Sequence, residues 1–119
     1  MITGIDKNER YPFVSESDST DPGVVKTVFM IGNLTQRDKL ALFGQVITKD
    51  GKMDAQVIQE KAVDIFLKGV KRIENFPEAG KAVEPVDEAV VDALPFGILV
   101  EVVAKVMELN FTTENTRKN

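Results

Sequence analysis

The side chains here that can do acid–base or ligand chemistry are carboxylates, ammonium groups and guanidinium groups. The 119 residues include no histidine, no cysteine and no tryptophan. Ser-His and Cys-His nucleophile pairs, imidazole or thiolate metal ligands and disulfides are therefore all excluded. Carboxylate pairs remain, Glu60 with Asp64 and the group Glu84, Asp87 and Glu88, and such pairs can support general acid–base steps. Both lie in highly charged stretches, where solvated helix faces account for them better than catalysis does.

Two motif-like spacings fail on their own terms. Reading Lys49-Asp50-Gly51 as the middle of a calcium loop puts Val46 and Val57 at the first and twelfth positions, which need oxygen ligands. Reading Gly80-Lys81 as a phosphate loop leaves Ala82 in place of the Ser or Thr, and Asn75 where the first glycine belongs. Lys68, Lys71 and Arg72 form the sole basic cluster. It has no interleaved aromatics, so it reads as a helix C-terminus complementing the macrodipole before it reads as a phosphate track. The expectation is a protein that is not an enzyme, with no catalytic residue, no metal site and no cofactor.

Charge and hydropathy restrict the partners. With 15 Lys+Arg against 19 Asp+Glu the formal charge is −4, a balance that repels nucleic-acid phosphates. The most apolar run, 94–100, is followed by Glu101, Lys105 and Glu108, well short of the roughly 18 uncharged residues of a membrane helix. Residues 1–10 mix both charges without an apolar run, unlike the core of a signal peptide. Neither nucleic acid nor membrane is expected as a partner, and the cytoplasm is the expected location.

The elements that would position any site follow from the periodicity. The length fits one domain. Residues 1–23 are expected to form an N-terminal arm and loop, 24–111 a single globular α+β domain, and 112–119 a polar tail. Within the arm, 11–14 can pair as an edge strand, where Pro12 is tolerated, with the β-branched run 24–31. Thr35 and Asp38 have the spacing of a capping box, starting a helix over 36–48. Asp54 is placed to cap a second helix over 55–73, whose inward face reads Ile58, Ala62, Ile65, Phe66, Gly69, Val70 and Ile73. Gly69 within that pattern implies a close approach by another element. Residues 75–84 read as a loop, 87–93 as a short helical piece, and Pro95 as the first residue of a final helix to about 109. The fold class is α+β: a short antiparallel N-terminal sheet followed by three to four helices, the C-terminal one central.

That last helix is apolar over most of its circumference, with only Glu101, Lys105 and Glu108 polar. Either it is the middle of the domain or one face meets a partner, a second copy included.

Several phrases in the chain resemble small proteins of tailed-bacteriophage and prophage structural modules. The run 27–38, a strand leading into Leu34-Thr35-Gln36-Arg37-Asp38, is similar to their opening. Gly69 to Phe76 resembles their segment ending in Asn-Phe. Val91-Asp92-Ala93-Leu94-Pro95, with Leu109-Asn110-Phe111-Thr112-Thr113-Glu114-Asn115, resembles their terminal signature, departing from it at Phe111 and Asn115. The likeness implies a tail assembly chaperone or adaptor in the host cytoplasm, binding a helical, apolar segment of a virion protein such as the tape measure. The alternative is a structural component retained in the virion, a capsid-decorating or head–tail connector protein. In either case protein–protein interaction carries the function, and a homo-oligomer is expected. Candidate partner-binding residues are Phe96, Leu99, Val103, Met107 and Leu109 on the last helix, with Phe43 and Phe66 lining an adjoining groove; core packing is the competing account of each.

Overall fold

The structure is a computed structural model that describes residues 4–19, 23, 25–43 and 55–111. Its elements, in chain order, are β1 (Arg10–Val14), α1 (Glu16–Ser19), β2 (Val28–Gly32), α2 (Gln36–Phe43), α3 (Ala55–Glu60), α4 (Ala62–Gly69), β3 (Val70–Glu74), β4 (Ala82–Val83), α5 (Glu88–Ala93) and α6 (Phe96–Phe111). The class is α+β. Four strands form one antiparallel sheet in the order β1-β2-β3-β4.

The expected hairpin is present, with Tyr11 opposite Ile31 and Phe13 opposite Phe29. This pairing carries residues 10–14 of the anticipated arm into the sheet. Residues just before the strand are also held, because the Asn33 amide donates to the Asp6 carbonyl at 2.8 Å and to Glu9 Oε2 at 3.3 Å. The acidic stretch after it is not a bare loop. Ser15 is buried, and α1 is tied down at both ends: Glu101 Oε1 accepts from the Glu16 N–H at 3.1 Å, and Asp18 Oδ2 accepts from the Thr27 N–H at 3.0 Å. Each carboxylate satisfies a backbone donor that the short helix or strand cannot satisfy itself.

The capping box forms reciprocally, the Thr35 hydroxyl accepting from the Asp38 N–H at 3.1 Å and the Asp38 carboxylate from the Thr35 N–H at 3.3 Å. The rest of the helix expected over 36–48, the following turn, the Asp54 cap and the tail 112–119 lie outside the described residues.

The single helix expected over 55–73 is corrected. The chain turns at Lys61, α4 stops at Gly69, and 70–74 is a strand between β2 and β4. Val70 and Ile73 are three residues apart, a helical spacing that strict alternation would send to opposite faces of a sheet, so local spacing favours the helix. The unpaired edge of β2 decides it: β3 supplies hydrogen-bond partners along Val28–Ile31, and its β-branched residues suit a pleated surface. The loop expected over 75–84 likewise contains β4, paired through Ile73 with Val83.

One face of the sheet carries the core. Phe29, Ile31, Val70 and Ile73 from the strands meet Ile65 and Phe66 of α4 and Val102, Val103 and Val106 of α6, all buried. Each such side chain contributes on the order of 1.5–3 kcal/mol relative to exposure. Phe29 and Phe66 sit edge to face, centroids 6.2 Å apart. On the opposite face no helix is laid over the cross-strand row Pro12, Met30 and Arg72 among the described residues.

Candidate functional site

α6 starts where the sequence placed it. Asp87 caps α5 by accepting from the Val90 N–H at 3.1 Å, and Leu94 leaves the helix in extended conformation. Pro95 then supplies the carbonyl that accepts from the Ile98 and Leu99 N–H groups.

Two features fix the rotation of α6 about its axis. Gly69 lies against Val106 so closely that an added Cβ would stand 2.5 Å from Val106 Cγ1. This is the close approach that the glycine implied, made by the last residue of α4. Asn110, a buried polar side chain near the end of α6, accepts from the Leu34 N–H at 2.7 Å and donates to the Val106 carbonyl at 2.9 Å. A buried amide must find partners, and here they lie only on the inward side.

With that rotation set, the candidate residues separate. Phe66 is fully buried and Val103 is 3% exposed, so both are core side chains and neither is available to a partner. The reason is geometric: Val103 shares the inward arc with Val102, Val106 and Asn110, and Phe66 faces Phe29. Leu99, Met107 and Leu109 are partly buried and pack against the core at its margins. Phe96 is 72% exposed. The Phe43 side chain lies outside the described residues.

The outward arc instead reads Phe96, Val100 and Ala104 at successive i, i+4 steps, with Gly97 beside them. Val100, 49% exposed, was missed by sequence reasoning, which gave the outward side to the Glu101, Lys105 and Glu108 strip. Glu101 in fact holds the start of α1, while Lys105 and Glu108 pair with each other at 3.4 Å. Phe111 ends the arc, its ring under Lys39 Nζ at 5.1 Å. At the other end a cleft of about 260 Å³ is lined by Phe29, Phe76, Leu94 and Ile98 together with Ser15 and Asp18.

Asn75 is a second residue whose role the sequence did not expose. It has a positive φ of 59°, which asparagine tolerates better than most residues. Its side chain donates to the Lys26 carbonyl and accepts from the Gly80 N–H, while its carbonyl accepts from the Thr27 hydroxyl. It thereby ties the entry of β2 to the β3–β4 turn.

Comparison with protein-family models, curated proteins and solved structures finds no match to this chain. The site is therefore read from its own chemistry. Among the described residues, no three or more acidic side chains gather as metal ligands. The carboxylates singled out earlier are dispersed: Glu60 and Asp64 are exposed on α3 and α4, Glu84 pairs with Arg72 at 3.3 Å, and Asp87 is a helix cap. Also among the described residues, no helix is long and apolar enough to cross a membrane.

Proposed function

We propose that this chain acts by non-covalent binding, holding an apolar helical segment of a protein partner against the outward arc of α6. The observation that carries the reading is the exposure of Phe96 and Val100 on a helix whose opposite side already forms the core. A phenylalanine at 72% exposure gains little from folding, so most of its area is removed from water only when something covers it. Helical anchors at i and i+4 suit a helix-in-groove contact, and the neighbouring Met107 adapts to varied surfaces. The net charge of −4 keeps such a surface soluble while it waits.

In the tailed-phage setting that the sequence resembles, the partner is a virion protein such as the tape measure. The chain is then a non-enzymatic assembly chaperone or adaptor of the host cytoplasm, with self-association covering the same arc when the partner is absent.

A photo-crosslinking residue at position 96 of the full chain, introduced during particle assembly, tests this. Adducts to one helical segment of a virion protein are expected, with none from position 81, and purified particles should lack the chain. Stoichiometric chain in particles would replace the chaperone by a retained structural component. Equal adduct patterns from both positions would remove the binding role.

A further inference from the structure

The open face of the sheet holds a groove of about 380 Å³ between Arg10, Met30, Lys71, Arg72, Glu74 and Glu84. The register between β2 and β3 shifts at Met30/Ile31, so that Met30 faces Arg72 and Ile31 faces Val70. Lys71 is thus the extra residue of a bulge, and both Lys71 and Arg72 line the groove while Val70 and Ile73 are buried. Opposite them, Arg10 pairs with Gly32. An added Cβ at Gly32 would stand 2.9 Å from Lys71 Cγ and Cε and 3.2 Å from Arg10 Nη1, so the missing side chain is what lets the two cations meet.

The two ends of the groove differ in charge balance. Arg72 is paired with Glu74 at 3.5 Å and Glu84 at 3.3 Å. Arg10 and Lys71 have no carboxylate at ion-pairing distance among the described residues. Their donors rest on backbone carbonyls instead, Lys71 Nζ on Lys68 at 2.6 Å and Arg10 Nη1 on Lys7 at 2.8 Å and Glu9 at 2.9 Å. Burial pushes the Lys71 ammonium below its usual pKa; Asp38 opposes the shift, while Arg10 and Lys68 add to it. Among the described residues, two like charges lie close together with Asp38 acting on Lys71 only from beyond ion-pairing distance, in a chain that is acidic as a whole.

We propose that the Arg10–Lys71 end of this groove binds a phosphomonoester group. A phosphomonoester carries about −1.5 to −2 at neutral pH and offsets both cations, whereas a carboxylate offsets one. Arg10 keeps Nε and Nη2 for a forked contact, and Lys71 supplies a point charge. Glu74, Glu84 and the net charge of −4 disfavour extended polyanions along the same face. The site is separate from α6 and does not depend on the binding role given to that helix.

Titrating the full chain with inorganic phosphate at constant ionic strength, followed by amide NMR, is the test. Saturable shifts centred on Arg10, Gly32 and Lys71 are expected. Lys71→Met and Arg10→Gln should each weaken binding about tenfold, the loss of one charge-assisted contact. Glu74→Gln should tighten binding, and Lys81→Met should leave it unchanged. Should one cation variant fail to fold, the other decides. Linear shifts in the wild type would overturn the site, as would unchanged binding in the folded cation variants, equal affinity for acetate, or tighter binding of an oligodeoxynucleotide.

Discussion

On the inner side of α6, Val102, Val103 and Val106 are buried against the rest of the core, while on the outer side Val100 is half-exposed and Phe96 largely so. Both sides are rich in large apolar residues, so hydrophobicity alone does not choose which is inside. The choice falls to two residues that are not large and apolar. Gly69 admits Val106 against the backbone of α4, and Asn110 must face inward to pair with Leu34. A helix with surplus apolar area is thereby oriented by one missing side chain and one buried amide, and the surplus is left to the surface.

The contrast between the two sides can be broken most severely from inside. Val103→Asp places an unpaired charge in the core and is expected to cost about 3–5 kcal/mol, abolishing the cooperative melt or lowering its midpoint sharply by circular dichroism. Next comes Gly69→Ala. Alanine favours helix by itself, but here its Cβ meets a short, branched and fully buried Val106, so a net loss of about 1–3 kcal/mol is expected in urea unfolding. Asn110→Ala strands the buried Leu34 N–H and should cost a similar ~1–3 kcal/mol, with faster hydrogen exchange at that amide.

The outer side should respond in the opposite way. Phe96→Ser is expected to change stability by no more than about 0.5 kcal/mol while reducing self-association in sedimentation equilibrium. A large loss of stability with unchanged association would erase the distinction between the sides.

The smallest effect concerns the sheet's open face. Because the Lys71 pKa is lowered on folding, the unfolded chain binds that proton more tightly than the native state does. Stability should therefore rise as pH climbs from the lowered value toward 10.5, the ordinary lysine value, and Lys71→Met should flatten that rise in urea melts.

How far the sequence anticipated these features varies with the range of the interactions behind them. The Thr35–Asp38 box, the helical piece after Asp87, Pro95 as the start of α6 and the pairing of 11–14 with the run ending at Ile31 were all legible, because each rests on contacts within a few residues or on a β-branched composition. The strand at 70–74 was not legible, because the three-residue spacing of Val70 and Ile73 fits a helical stripe and reaches one face of a sheet only through an irregular register. The bulge at Lys71 was hidden for the same reason, and with it the meeting of Arg10 and Lys71, which are 61 residues apart in the chain. Among the candidate anchors, the spacing marked α6 as over-supplied with apolar area but left Val103 open between anchor and core and omitted Val100.

By itself the sequence determined what depends on composition and short range: the absence of imidazole and thiol chemistry, the acidic balance, the capping box at Thr35, the edge hairpin and an excess of apolar surface on the last helix. Only the tertiary structure decided which arc of that helix is core, that 70–74 completes a sheet, and that two cations converge over Gly32. Each of these is set by what an element packs against, and a helical or pleated pattern carries no information about its partner's position until the chain has closed on itself.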